Sequence, residues 1–120
     1  MVPMLDPDEM VTVTVSELSA ACVIEVSGEI DMGTCDRMAD PVFDRLAERP
    51  RTLVIDLTKV EFIGSAGLNV LIEAQKRAKD GVTVLHVVAS TQPVLRPLEI
   101  SGLRQFLSVR HSLAEALRDG

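Results

Sequence analysis

The chain has 120 residues, of which 47% are hydrophobic, and this is enough to bury the core of one domain but not of two. Its net charge of −6 argues against nucleic acid as a partner, because binding to a phosphate backbone requires patches of Lys and Arg. No apolar stretch approaches the ~20 residues needed to cross a bilayer, so a membrane partner is not expected.

The chain opens with a tail and a hairpin. Residues 1–10 are rich in Pro and Asp, and we expect a flexible tail there, followed by one domain over residues 11–120. Val11–Val15 alternates between Val and Thr as a half-buried strand does, and Cys22–Ser27 alternates in a similar way. Because only a short turn at Glu17–Ala20 separates them, the two strands are predicted to pair antiparallel.

A helix and a buried strand come next. Apolar residues recur at helical spacing between Thr34 and Glu48, with Asp31 or Thr34 as the candidate cap. Pro41 within this segment predicts a late start or a kink. Thr52–Leu57 is nearly continuous in apolar residues, which is typical of a parallel strand buried on both faces.

The second half alternates helices and strands. A helix is predicted over Leu68–Ala78, with Gly81 ending it in a left-handed conformation. Its predicted apolar face consists of Leu68, Leu71, Ile72, Gln75 and Ala78. The remaining predicted elements are a strand at Val82–Val88, a helix capped by Ser90 or Thr91 that runs to about Ile100 and is broken by Ser101–Leu103, an edge strand at Phe106–Val109 and a helix at Ser112–Arg118. The order β-β-α-β-α-β-α-β-α predicts an α/β fold with a mixed sheet and right-handed crossovers.

The turn between the apolar strand and the second helix is the main candidate site. Ligand sites in open α/β sheets gather at the carboxyl ends of parallel strands, and Gly64–Gly67 is expected at such an end, directly after the strand. Gly64 is predicted to allow an unusual backbone angle, and Ser65 to cap the helix. A hydroxyl at a helix N-terminus can also receive a phosphate, so the residues alone leave both roles of Ser65 open.

Catalytic and cofactor motifs are missing from the sequence. The turn lacks the full G-x-S-x-G pattern, and neither His86 nor His111 has an obvious orienting acid, so no catalytic residue is predicted. No Walker or G-x-G-x-x-G motif is present, and no bound cofactor is expected. Paired acid–base catalysis would require Asp31 and Asp56 in one cleft; for Asp56 we expect a solvated acid at a strand end, whereas the role of Asp31 stays open.

The two cysteines have no metal-ligand or CxxC spacing, and no metal site is predicted. We therefore expect Cys22 and Cys35 to be buried, reduced thiols in a cytoplasmic protein. A redox-sensitive disulfide between them is the alternative, and nothing in the spacing supports it.

Three segments, in this order and spacing, resemble a known family. They are Gly28–Asp31, the stretch from Val54 through Phe62 and Ile63 to Leu68, and Ser101–Leu103. From Val11 to about Arg118 the chain resembles the STAS domain of bacterial anti-sigma factor antagonists (anti-anti-sigma factors). The resemblance implies a β-sheet with helices packed mainly on one face.

The same resemblance implies a function for the turn at Gly64–Gly67. The resemblance implies that Ser65 is phosphorylated by a GHKL-type partner that is both a serine kinase and an anti-sigma factor, with ATP and Mg²⁺ bound by the kinase. The dephosphorylated antagonist binds that kinase and releases a sigma factor for transcription, as in bacterial stress responses, and a separate serine phosphatase restores the serine. The partner-binding residues implied by the resemblance are Glu29, Ile30, Asp31, Thr34, Gly64, Ser65, Ala66, Gly67, Leu68 and Asn69.

Two residues depart from the family pattern. Many members have Asp at the position of Gly64 and a second hydroxyl residue at the position of Ala66, so Ser65 is the only hydroxyl residue left in this turn. STAS domains also occur in lipid-transport ABC complexes, in stressosome scaffolds and in anion-transporter tails. A scaffold or accessory role without sigma control is therefore the alternative function.

Overall fold

The computed structural model describes residues 11–18 and 21–119. The predicted tail over residues 1–10 lies outside the described residues, as do residues 19 and 20 of the predicted turn. The elements in chain order are β1 (Val11–Leu18), β2 (Ala21–Ile30), α1 (Cys35–Ala47), β3 (Thr52–Ile63), α2 (Ser65–Asp80), β4 (Val84–Val88), α3 (Gln92–Ile100), α4 (Leu103–Phe106), β5 (Val109–Arg110) and α5 (Leu113–Asp119).

The strands form one five-stranded sheet in the order β1-β2-β3-β4-β5. β1 pairs antiparallel with β2, and the pairs β2–β3, β3–β4 and β4–β5 are parallel. Each parallel pair is joined through a helix, as the chain requires for such a connection. The prediction of an α/β fold with a mixed sheet is confirmed.

The two faces of the sheet carry different amounts of helix. On one face, α1, α2 and α3 cover neighbouring strand residues such as Ile24, Ile55 and Val87, which are in register and fully buried. On the other face, α5 places Ala116 against Val23, Val54 and Val88. Helices therefore pack mainly on one face, as expected.

The third strand is longer than predicted, and this moves the candidate site. β3 continues past Leu57 to Ile63, and its partner β2 continues to Ile30. Bulges between Glu25 and Ser27 and between Gly28 and Glu29 re-register the pair, so that pairing persists to Ile30–Ile63. The turn therefore follows Ile63 and not Leu57.

The buried face of α2 also differs from the prediction. Leu71 and Ala78 are buried as expected, but the other buried residues are Gly67, Val70 and Ala74. Leu68, Ile72 and Gln75 are half-buried. Small residues let the helix axis approach the sheet closely, and a pattern weighted toward large apolar residues misses them.

Several local predictions were wrong in detail. Gly81 has φ −87°, and the left-handed residue is the next one, Val82, with φ 59°. α1 begins at Cys35 and continues through Pro41, so the late start does not occur. Glu17 belongs to β1 and not to a turn.

In the C-terminal region, the position of one predicted strand was wrong. Leu103–Phe106 is a short helix, and the edge strand is Val109–Arg110 in place of Phe106–Val109. Gly102 has φ 79°, which ends the preceding helix, as predicted for this break. Within the described part of the chain, no helix combines the length and the apolar character that crossing a bilayer demands.

Candidate functional site

The candidate site lies where β2 and β3 end side by side. The backbone N–H of Gly64 donates to the carbonyl of Ile30 at 2.8 Å, which ties the start of the turn to the end of the neighbouring strand. α2 then begins at Ser65, and the N–H of Leu68 donates to the carbonyl of Gly64 at 3.1 Å. The turn is therefore held between two strands and the first turn of a helix.

Gly64, and not Ser65, occupies the N-cap position of α2. Its backbone angles, φ −92° and ψ −176°, are open to any residue, so the unusual angle that Gly64 was predicted to allow does not occur. Ser65 is the first helical residue, is exposed, and makes no side-chain cap hydrogen bond within the described residues. The prediction that Ser65 caps the helix was therefore wrong, and its hydroxyl is not used to hold the helix end.

Gly67 sets the distance between the helix and the strand ends. A Cβ atom at this position would lie 2.7 Å from Cγ1 of Ile63 and 2.8 Å from Cγ2 of Ile30. Both distances are shorter than real Cβ contacts, so a glycine is required for α2 to start this close to the sheet. Ser65 owes its position to this close approach.

A second loop, after β2, faces the turn. Asp31 Oδ1 accepts hydrogen bonds from the N–H of Gly33 at 2.8 Å and from the N–H of Thr34 at 3.1 Å. The Thr34 hydroxyl donates to the carbonyl of Glu29 at 2.8 Å and accepts from the N–H of Asp31 at 2.9 Å. These bonds fix the half-buried Asp31 carboxylate at the end of β2.

The turn and this loop together border a depression of about 590 Å³. We call it the Ser65 depression; it is lined by Asp31, Met32, Phe62, Gly64, Ser65, Ala66 and Asn69. The sequence placed five of these residues in one partner surface but did not include Met32 or Phe62. Met32 is 86% exposed and Phe62 is 50% exposed, and no periodic pattern in a loop or at a strand end marks such residues in advance.

The remaining residues of the predicted partner surface lie elsewhere. Ile30, Thr34 and Gly67 are buried, so they support the surface from behind and do not present side chains on it. Glu29 is exposed near the loop. Leu68 is half-buried and lies on the other side of Ser65 from the depression.

Comparison with known proteins decides the family. The STAS domain family model matches residues 12–116 of the chain. The chain is also 34% identical, over 92% of its own length and 89% of the relative's, to the anti-sigma-F factor antagonist RsfB of Mycobacterium tuberculosis. The chain belongs to the STAS domain family of anti-sigma factor antagonists.

Two further proteins agree with this assignment. The crystal structure of an anti-sigma factor antagonist from Mycobacterium paratuberculosis superposes on this STAS domain with a TM-score of 0.88 and 33% identity, covering 96% of this chain and 97% of the other. An anti-sigma-B factor antagonist of Listeria monocytogenes is 28% identical over 73% of this chain and 77% of its own. Members of this family are regulators and not enzymes.

Asp31 and Asp56 do not form a pair of carboxylates in this STAS domain. Asp56 is buried within β3, where its Oδ1 accepts from the N–H of Thr58 at 3.0 Å and from the Thr58 hydroxyl at 2.8 Å. The expectation of a solvated acid was therefore wrong, and Asp56 does not line the depression that Asp31 shares with Ser65. Among the described residues, no group of three or more His, Cys, Asp or Glu side chains is placed to hold a metal ion.

A second hollow lies on the other side of Ser65 in this STAS domain. It has a volume of about 460 Å³ and runs between the start of α2 and α3. We call it the α2–α3 groove; its lining residues include Ser65, Leu68, Pro93, Arg96, Pro97 and Ile100. The α3 side of the groove was not predicted, although Pro93, Pro97 and Ile100 follow each other at steps of four and three, which is helical spacing.

The two cysteines lie at opposite ends of the domain core. Cys22 is buried near the start of β2, and burial, assisted by the nearby Glu17, raises the pKa of its thiol to about 11. Cys35 is half-buried at the start of α1, beside the Asp31 loop. Both thiols are free, but only Cys22 is buried as expected.

Proposed function

We propose that this protein is an anti-sigma factor antagonist that is controlled by phosphorylation of Ser65. In the dephosphorylated state it binds an anti-sigma factor that is also a GHKL-type serine kinase, and a sigma factor is released for transcription. Phosphorylation of Ser65 by that kinase, with its own ATP and Mg²⁺, ends the binding, and a serine phosphatase restores it. The proposed partners act in transcription control. We therefore propose that the protein is cytoplasmic and that a stress signal is the input.

The observation that carries this proposal is the placement of the Ser65 hydroxyl. Ser65 is exposed on the rim of the Ser65 depression, and its side chain makes no cap hydrogen bond to α2. A serine that neither caps a helix nor packs in the core has no evident structural role at this position. An accessible hydroxyl in a chain that is 34% identical to RsfB, an anti-sigma-F factor antagonist, is well placed to receive a phosphoryl group.

The electrostatics of the turn support a switch that acts at the surface. A phosphate would add roughly −1.5 to −2 charges at pH 7 to the first residue of α2. The N-terminal end of a helix dipole favours anions, so the domain should stay folded when it is phosphorylated. The phosphate would also add bulk and charge to the surface of the depression, so a partner fitted closely to a small neutral hydroxyl would no longer dock there.

Phosphorylation can be tested at single-residue resolution. The protein would be incubated with purified GHKL-type kinases of its own organism and ATP–Mg²⁺, digested with trypsin and analysed by mass spectrometry. Cleavage after Lys59 and Lys76 releases Val60–Lys76, in which Ser65 is the only hydroxyl-bearing residue, so one added phosphoryl group on this peptide assigns the site. The Ser65→Ala variant is the control and should remain unmodified.

The same experiment separates the alternative function. If no candidate kinase modifies the Val60–Lys76 peptide or binds the chain, phosphorylation control is wrong. Stable binding of an ABC-transporter ATPase in place of a kinase would assign the STAS domain to a transport complex.

A further inference from the structure

Ser65 lies between one acidic and one basic side chain. Among the described residues, Asp31 is the one charged residue that lines the Ser65 depression, and Arg96 is the one that lines the α2–α3 groove. Ser65 is on the rim of both spaces. Lys59 and Glu61, the charged residues of β3 nearest to it in sequence, border a separate hollow and neither of these two. A negative charge added at Ser65 is therefore repelled on the side of Asp31 and attracted on the side of Arg96.

Arg96 is available for such a charge. It is exposed on α3 and forms no ion pair with any residue in the described ranges 11–18 and 21–119. Val94 and Leu98 are buried in the core and fix the orientation of α3, which keeps Arg96 on the outer border of the groove. Because a guanidinium is not deprotonated in proteins, the groove carries a permanent positive charge.

A phosphate on Ser65 and the guanidinium of Arg96 are chemically complementary. The phosphate brings roughly −1.5 to −2 charges at pH 7 and three strong acceptor oxygens. A guanidinium can donate two parallel N–H bonds to two of these oxygens, which a point charge such as an ammonium cannot do. Rotation about χ1 of Ser65 turns the phosphate toward the groove, and the long side chain of Arg96 adjusts to meet it.

We infer that Arg96 is the internal counter-ion of phosphorylated Ser65: the phosphate turns away from Asp31 into the α2–α3 groove and pairs with the guanidinium there. This inference rests on the proposed function and concerns the phosphorylated domain alone, without any partner. The phosphate then links the first residue of α2 to α3. Since the pair lies at the surface, its effects are modest in size and decrease with added salt.

The test is a pH titration of the phosphate by phosphorus NMR in the full chain, with phosphoserine inserted at position 65 during translation so that no kinase is needed. The second pKa of phosphoserine is about 6. A nearby cation favours the dianion and lowers this pKa, so Arg96→Gln should raise the pKa of the phosphate by about 0.5 or more in about 0.1 M salt. Arg96→Lys keeps the charge without the paired donors and should give an intermediate value. In about 1 M salt the variants should converge.

Arg51→Gln is the matched control. Arg51 is exposed and precedes β3, whose amino end lies roughly 35 Å along the strand from Ile63, so the same charge is removed far beyond the screening length. The pKa of the phosphate should equal that of wild type in this variant. Thermal unfolding provides a second readout. Without phosphate, Arg96→Gln should unfold within about 2 °C of wild type, whereas any rise in the midpoint on phosphorylation should be smaller in Arg96→Gln than in wild type.

The outcomes separate this inference from the proposed function. If the pKa of the phosphate is the same in wild type and Arg96→Gln, Arg96 is not the counter-ion, and the proposed function stands as long as a kinase modifies the Val60–Lys76 peptide. If Arg51→Gln raises that pKa as much as Arg96→Gln does, the effect comes from net charge and the inference is equally wrong. If no kinase modifies Ser65, the proposed function fails, and the inference that rests on it fails with it.

Discussion

At the scale of single residues, Gly67 determines how closely α2 approaches the strand ends. A Cβ atom there would overlap the side chains of Ile63 and Ile30, at 2.7 and 2.8 Å. Ala is normally favoured over Gly in a helix by about 1 kcal/mol, but steric overlap in a packed core costs about 1–3 kcal/mol. We expect Gly67→Ala to lower the free energy of unfolding, measured by urea denaturation, and to shift the position of Ser65.

Gly81 provides the matched control for that prediction. Its φ of −87° suits any residue, and the nearest atom to an added Cβ would be the carbonyl oxygen of Arg77 at 3.4 Å, an ordinary contact. Gly81→Ala should therefore leave the free energy of unfolding within about 0.5 kcal/mol of wild type. Equal effects of the two substitutions would show that close packing at Gly67 is not the cause.

The two thiols should differ strongly in reactivity. Thiolate is the reactive form, and the Cys22 thiol is buried with a pKa of about 11, so little thiolate forms at pH 8. Cys35 is half-buried, and it should react first with a disulfide reagent such as Ellman's reagent. The folded protein is expected to show one fast thiol and the denatured protein two, and Cys35→Ser should remove the fast one.

An internal disulfide is not expected on oxidation. Cys22 and the end of β2 at Ile30 are roughly 25 Å apart at the rise of a strand, and Cys35 follows that end. A disulfide requires Cα atoms within about 7 Å. Formation of an intramolecular disulfide in the folded monomer would contradict the placement of the two residues.

Single residues could be predicted from the sequence where the topology determines their neighbours in space, and not where one specific contact does. Ser65 at the helix start, Asp31 at the strand end and their approach to each other follow from topology, since the carboxyl ends of parallel strands meet at one edge. The exact cap did not follow, because Gly64 and Ser65 are both acceptable N-cap residues, and in the structure Gly64 is the extended residue before the helix and donates to Ile30. The prediction of a solvated Asp56 was wrong for a related reason. The burial of Asp56 depends on Thr58 and on an extension of β3 that the sequence alone did not indicate.

At the scale of elements, the packing of α5 on the sheet makes a contribution to stability that can be tested directly. α5 is a short helix, and Ala116 packs against Val23, Val54 and Val88 on the face of the sheet opposite α1 and α2. A carboxylate placed at Ala116, which has no exposed surface, would be buried without a partner. We expect Ala116→Asp to lower the free energy of unfolding by about 3 kcal/mol or more, measured by urea denaturation.

Ala114 is the control on the same helix. It is exposed, so Ala114→Asp introduces the same side chain into water and should change the free energy of unfolding by about 0.5 kcal/mol or less. If Ala114→Asp is as destabilising as Ala116→Asp, the effect comes from the helix propensity of Asp and not from contact with the sheet.

The elements themselves were predictable because their patterns are strong. The alternation of Val and Thr gave β1, the apolar run gave β3, and the alternation of strands and helices gave the mixed sheet. The end of β3 was not predictable, since the bulges that extend it depend on pairing with β2. The buried face of α2 was only partly predictable, because Gly67 and Ala74 are buried by close approach to the sheet and not by their own hydrophobicity.

At the scale of the whole molecule, the fold places the candidate site at one end of the sheet, far from the opposite end. The parallel strands β2 and β3 direct their carboxyl ends, Ile30 and Ile63, to the side where Ser65 begins α2. The amino end of β3 at Thr52 lies roughly 35 Å away along the strand. Changes at Ser65 should therefore affect partner binding without affecting the core.

This separation leads to a prediction about partner exchange. Ser65→Glu places a carboxylate where the helix dipole is favourable, so its thermal midpoint should equal that of wild type or lie slightly above it. The same variant should bind the kinase at least about tenfold more weakly, because a longer, charged side chain stands in the Ser65 depression where the partner fits a small neutral hydroxyl. Ser65→Ala should bind normally and should remain bound when ATP–Mg²⁺ is added, whereas wild type is released as phosphorylation proceeds. Size-exclusion chromatography of the complexes before and after ATP distinguishes these cases, and release of the Ser65→Ala variant by ATP would show that the switch residue lies elsewhere.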